Sequence, residues 1–164
     1  MTWYAALKFL HILTVILFVG GLFARQLVRR AAKKADDIRL FAALSQAAGQ
    51  IERILVIPGS QIALVVGVIL ALVAGYPILG FLQGASQNWL FVSNILLLGM
   101  IVIIPSIFLP RGKKFEPILQ AALAEGRITP DLRTVMDDPV VRAAHLYEEI
   151  SVIIIVALMV FKPF

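Results

Sequence analysis

The sequence contains no cysteine. That excludes disulfides, thiolate nucleophiles, and zinc or iron–sulfur sites built on cysteine. No H-E-x-x-H, no G-x-S-x-G and no phosphate-cradling glycine loop occurs, so those metalloprotease, hydrolase and P-loop chemistries lack their residues. Methionine is sparse, four residues with the initiator included, which is too few for a thioether relay for Cu(I). No basic residues precede the first apolar run, and that run is too long for a signal-peptide core. No small-x-small cleavage pattern follows, so the run reads as an uncleaved span. One further absence is regional. Gly75 to Asn88 holds no Lys or Arg, although the chain carries 15 of them against 10 acidic residues.

What is present is mostly apolar. Hydrophobic residues make up 60% of the 164, and the mean hydropathy is +0.93. A soluble domain would be nearer half apolar. A bilayer core needs about 20 helical residues to cross it. Four segments meet that length, at about Trp3–Ala24, Ile54–Ala74, Trp89–Leu109 and Ala143–Phe161. The expected fold is an all-α membrane protein, an antiparallel four-helix transmembrane bundle with short cytoplasmic helices in its first and third loops. Residues 1–164 form a single domain on this reading.

The charge sits in two loops. Arg25, Arg29, Arg30, Lys33, Lys34, Arg39 and Arg53 lie between spans one and two. Arg111, Lys113, Lys114, Arg127, Arg133 and Arg142 lie between spans three and four. The positive-inside rule puts those loops in the cytoplasm of a bacterial cell (inner) membrane and both termini outside. Trp3, Tyr4, Tyr76, Trp89 and Phe164 then fall at the outer interface, as aromatic belts do. The basicity is topological and suits contact with anionic lipids, not nucleic acid.

Local signals give structure to the loops. Asp36 and Asp37 can cap a helix through Ile38, Phe41 and Leu44 that runs on toward span two. Pro117 to Ala124 reads as a short amphipathic helix ended by Gly126. Thr129-Pro130-Asp131 and Asp138-Pro139 are cap-plus-proline helix starts. Pro58 and Pro105 lie inside spans two and three, and each removes a backbone donor, which predicts a kink. Gly20-Gly21 and Gly67 allow close helix approach.

Polar residues inside apolar spans are the functional leads, because an ionisable group in hydrocarbon is costly. His11 lies roughly 12 Å below the outer face, and Ser93 and Asn94 roughly 6–8 Å below it. These three, with Lys8 one turn above His11, can share one outer-half pocket. His11 has three open roles: a tertiary hydrogen bond to Asn94 or a backbone carbonyl, a cofactor ligand, or a proton relay. A second polar cluster, His145, Glu148 and Glu149, stands at i, i+3 and i+4 on span four. Arg25, Arg53 and Arg111 lie at similar depth and can neutralise it, and Gln61 is slightly deeper. His11 and His145 differ in depth by roughly 12 Å, which disfavours one haem clamped between them.

Span one, L-K-F-L-H-I-L-T-V-I-L-F-V-G-G-L-F from Leu7 to Phe23, resembles the first helix of the CopD/HemJ-like membrane superfamily. I-E-R-I-L-V-I-P-G-S, Ile51 to Ser60, is similar to that superfamily's second helix. D-D-P-V-V-R-A-A-H, Asp137 to His145, and the L-M-V-F-K-P-F ending resemble its uncharacterised branch, domain of unknown function 2269. HemJ-type members are protoporphyrinogen oxidases that bind haem b through a first-helix histidine. The resemblance therefore implies His11 as the axial ligand candidate, with Lys8 beside it. The HemJ type carries a lysine shortly after its W-L, whereas this chain reads Trp89-Leu90-Phe91-Val92-Ser93-Asn94.

Three functional expectations follow. The first is a haem b protein using His11, with no other metal, in redox or porphyrin handling. The second is a non-catalytic subunit or assembly partner of a larger membrane complex, or a homo-oligomer. The third is a small proton-coupled transporter with Glu148 or Glu149 as carrier. Whether the chain is an enzyme is left open by its motifs.

Overall fold

The computed structural model describes residues 3–164 and is all-helical over its long segments. Helix α1 spans Trp3–Lys34, α2 Ile38–Ile51, α3 Ile57–Val73, α4 Trp89–Ile103, α5 Leu109–Glu125, α6 Pro130–Met136 and α7 Pro139–Phe161. Two π-helical turns, Glu52–Val56 and Ile104–Phe108, join α2 to α3 and α4 to α5 without a break. Four helical rods result, each with an apolar stretch long enough to cross a membrane. At 1.5 Å per residue, the 32-residue α1 is about 48 Å long, well beyond a hydrocarbon core of about 30 Å. The rods therefore continue past their apolar stretches, carrying the basic residues with them.

The helix ends follow the local chemistry. Asp37 caps α2 by accepting the Leu40 backbone N–H at 2.8 Å, and the Thr129 hydroxyl accepts from Leu132 N at the start of α6. Asp138 accepts from Val140 N and Val141 N and is followed by Pro139 at the first turn of α7. Gly126, at φ 71°, ends α5, a conformation that a β-carbon would strain. The expected short helix from Pro117 is not a separate element. It is the second half of α5, which runs unbroken from Leu109 with Pro117 inside it. Helix α2 runs on into the second rod, as the sequence leads one to expect.

Helix α1 packs along α2 and α3, and α4 packs along α7. Phe18, Leu22, Val56, Met100 and Val152 form a core drawn from all four rods. At one end Ala71, Trp89, Leu90 and Leu158 close the bundle, and Tyr76 packs edge-on against Trp89 at 5.3 Å. At the other end Ala32, Ile38, Phe41, Leu119 and Leu132 make a separate core between α1, α2, α5 and α6. The physics differs between these cores. In lipid, helices associate by close packing, because hydrocarbon is as apolar as leucine. In the basic end, outside the apolar stretches, burial from water operates, and fully buried leucines such as Leu119 and Leu132 contribute about 1.5–3 kcal/mol each. Ile16, Ile54, Leu72, Leu98 and Val160 remain largely exposed around the apolar stretches, as lipid-facing side chains would be.

Glycines permit close approach in several places, with Gly99 against Tyr147 and Gly80 against Asn88 among them. A β-carbon at Gly21 would lie 2.7 Å from Leu55 Cβ, and one at Gly67 would lie 2.9 Å from His11 Cε1. Gly20 faces open space instead, so only one of the adjacent pair acts as a contact.

Candidate functional site

The densest polar centre lies where the apolar stretches give way to the basic end. Arg25 of α1 is 2% exposed. Its Nη1 donates to Glu52, the first residue of the Glu52–Val56 π turn. Its Nη2 donates to Glu148 Oε2 of α7 at 2.6 Å. Nδ1 of His145, one turn before Glu148, lies 3.1 Å from Arg25 Nη2 and 3.1 Å from Glu148 Oε2. The imidazole stacks on Phe108, centroid to centroid 4.5 Å, and the Arg25 guanidinium lies 5.9 Å from the same ring. Three rods thus tie to one guanidinium, and the remaining rod supplies its aromatic floor.

The π turns position this centre. Ile57 N reaches Glu52 O, and Leu109 N reaches Ile104 O, each one residue before a proline, Pro58 and Pro110. A proline cannot donate and crowds the carbonyl four residues back, so the preceding turn widens. Glu52 opens one widened turn and Phe108 closes the other. Neither was singled out from sequence, and the proline that follows each was the available signal.

Two atoms of the centre are buried without partners, Arg25 Nε and His145 Nε2. If His145 Nδ1 accepts from Arg25, Nε2 carries the proton and is an unused donor. If Nδ1 donates to Glu148, Nε2 is an unused acceptor. Both residues line a cavity of about 750 Å³ at the basic end. Arg29, Arg53, Arg111 and Lys113 line it too, against the carboxylates of Glu52 and Glu116. Arg111 Nε is engaged with Asp138 Oδ2 at 2.8 Å. That ion pair, with the α7 cap hydrogen bonds, holds the Asp138 carboxyl below its usual range. Asp137 is held low by the Lys33 ammonium, 2.8 Å away.

The second sequence cluster is partly assembled. His145 and Glu148 face inward together, while Glu149 sits nearer the surface, 4.0 Å from Arg30. Successive positions differ by about 100° around a helix, and here that separates i+3 from i+4. Gln61 is exposed and takes no part.

The outer-half group is not brought together. The Ser93 hydroxyl donates to its own helix at Trp89 O, 2.8 Å, and Asn94 is half-buried on α4, whose main partner is α7. His11 belongs to the α1–α3 pair, with its ring on Gly67 and beside the Ala63 carbonyl. Lys8 is exposed. His145 meets Arg25, which lies 14 residues beyond His11 on the same helix, about 21 Å along its axis. The two histidines thus occupy separate levels.

Residues 5–163 match the sequence model of the family described as predicted integral membrane protein, DUF2269. The chain belongs to the DUF2269 family. No curated protein and no solved structure matches it. Membership establishes an integral membrane protein, in agreement with the four apolar rods of this DUF2269 chain.

The His11 ring lies close against the α3 backbone at Gly67. Cε1 lies between the two ring nitrogens, and it is the atom nearest the Gly67 position, with Nδ1 at 3.3 Å and Nε2 at 3.8 Å from the same point. Nδ1 of His11 is buried without a hydrogen-bond partner. In this DUF2269 chain the His11 ring packs between α1 and α3.

Proposed function

We propose that this protein is a non-catalytic binding protein of the bacterial cell membrane, and that it takes small anionic ligands from the cytoplasm. Its single four-span unit has adjacent spans antiparallel, both termini outside, and the basic ends of the rods in the cytoplasm. The loop charge asymmetry supports that orientation. One observation carries the functional reading: the cavity at the basic end is walled by Arg29, Arg53, Arg111 and Lys113, and also lined by Arg25 and His145, each of which holds an unpartnered buried nitrogen. A buried ionic centre at a membrane boundary marks function by default, because it is costly to maintain. Burial with multiple fixed donors recognises an anion. The same site is open to a partner subunit's acidic segment, which keeps the assembly-partner reading within the same chemistry.

The absence of cysteine makes the test direct. Gly112 lines the cavity, and a β-carbon there meets nothing within 4 Å. Gly112→Cys should react with a membrane-impermeant maleimide in inside-out vesicles and not in right-side-out ones, with Ser86→Cys behaving oppositely. Citrate at constant ionic strength should slow the Gly112→Cys reaction. Equal labelling from both sides would overturn the orientation, and indifference to citrate would overturn anion binding.

A further inference from the structure

Resting on the anion-site reading, we infer that the cavity holds a phosphate ester, with its phosphate between Arg29, Arg53 and Lys113 and its organic part along Phe115, Leu119 and Met136. The donors come from three elements: Arg29 from α1, Arg53 from the Glu52–Val56 π turn and Lys113 from α5. Among the described residues none of the three is in an ion pair, whereas Arg25 and Arg111 are committed to Glu52, Glu148 and Asp138. A carboxylate has two oxygens in one plane and is satisfied by one guanidinium fork. Cations drawn from three elements around one cavity instead suit a tetrahedral group with oxygens on several sides. Phosphate has that shape, and a monoester approaches two negative charges.

Two further lining residues add to this. Arg25 Nε–H has no acceptor, and neither has His145 Nε2–H in the tautomer that lets Nδ1 accept from Arg25. Burying such donors without acceptors is costly, and an oxygen that reached them would offset that cost. The two lining carboxylates do not block the phosphate position. Glu52 is held by Arg25, and Glu116 Oε1 accepts from Gln120 Nε2 at 2.9 Å. The apolar wall of Phe115, half-buried, and Leu119, 2% exposed, leaves space for the non-polar part of an ester. Two sources offer this chemistry: a phospholipid headgroup from the cytoplasmic leaflet, or a soluble phosphate ester.

Gly49 also lines the cavity with open space at its β-carbon, so Gly49→Cys is a reporter on the wall. Its maleimide reaction would be timed in phosphatidylcholine nanodiscs under four conditions at matched ionic strength: chloride, citrate, glycerol phosphate, and added phosphatidylglycerol. Ligand present at ten times its Kd should slow the reaction about tenfold. Slowing by phosphatidylglycerol alone identifies a lipid headgroup, and slowing by glycerol phosphate identifies a soluble ester. Either effect should disappear in the Gly49→Cys chain that also carries Arg29→Gln and Arg53→Gln. Slowing by citrate but by neither phosphate overturns the phosphate inference and leaves the anion site standing. No slowing in any condition overturns both, and slowing that survives the double arginine substitution overturns the placement.

Discussion

Replacing Arg25 with methionine would remove one side chain and leave two carboxylates, Glu52 and Glu148, facing each other. Glu148 is 2% exposed and Glu52 20%. With charge centres about 4 Å apart and an effective dielectric near 20, each pair carries about 4 kcal/mol of attraction. Ion desolvation offsets much of that, several kcal/mol per buried ion, so the intact network contributes little net stability. Loss of the cation alone is different, since the desolvation of the carboxylates stays and their compensation goes. The expected cost of Arg25→Met is about 3–5 kcal/mol. The assay is reversible unfolding in mixed micelles, titrated with a denaturing detergent and followed by far-ultraviolet circular dichroism. The decisive comparison is the triple variant Arg25→Met, Glu52→Gln, Glu148→Leu, which removes every charge of the network. It should recover most of the lost stability. If Arg25→Met costs under about 1 kcal/mol, the network is not the joint described. If the triple variant is no more stable than the single one, stranded charge is not the cause.

Other outcomes can be checked separately. Gly67→Ala should destabilise by about 1–3 kcal/mol through the clash with the His11 ring, and His11→Ala should relieve part of that in a double-mutant cycle; additive effects would refute the contact. Protein purified from haem-replete cells should show no Soret band, and a band abolished by His11→Ala would overturn the packing role given to that residue. The Asp138 carboxyl is held low, so its contribution is complete above the ordinary carboxylate range and is lost as pH falls below about 4 and through its folded value. Acid melting curves should therefore separate wild type from Asp138→Ala at neutral pH and converge in acid. Asp138→Asn should fall between them at neutral pH, because asparagine keeps the helix cap and loses the ion pair to Arg111.

The sequence made some of this legible and hid the rest for physical reasons. The spans, the caps at Asp37, Thr129 and Asp138, and the stop at Gly126 rest on local chemistry, and they read directly. The pairing of α1 with α3 and of α4 with α7 does not, because lipid-facing and core-facing positions are equally apolar. His11 drew attention as a polar residue in a span, yet its ring is accommodated by one glycine on α3, a relation that no spacing along the chain encodes. His145 and Glu148 were legible as a helical face. Their central partner was legible only as one basic residue among several near the same depth. Glu52 stood unremarked beside Arg53, since it enters the centre through a π turn and not through α-helical periodicity.

Those π turns make the centre sensitive to length as well as to composition. A π turn is an α-helix carrying one residue too many. Deleting one residue within Glu52–Val56 would let the segment close to α geometry while α2 and α3 keep about their present faces, because the widened turn absorbs that residue. The same deletion in the regular helix on either side would turn one flank by about 100° against the other. This segment is thus the place where the second rod tolerates a gap, and a relative one residue shorter here would keep the rod and lose only the widened turn that holds Glu52 and Arg53.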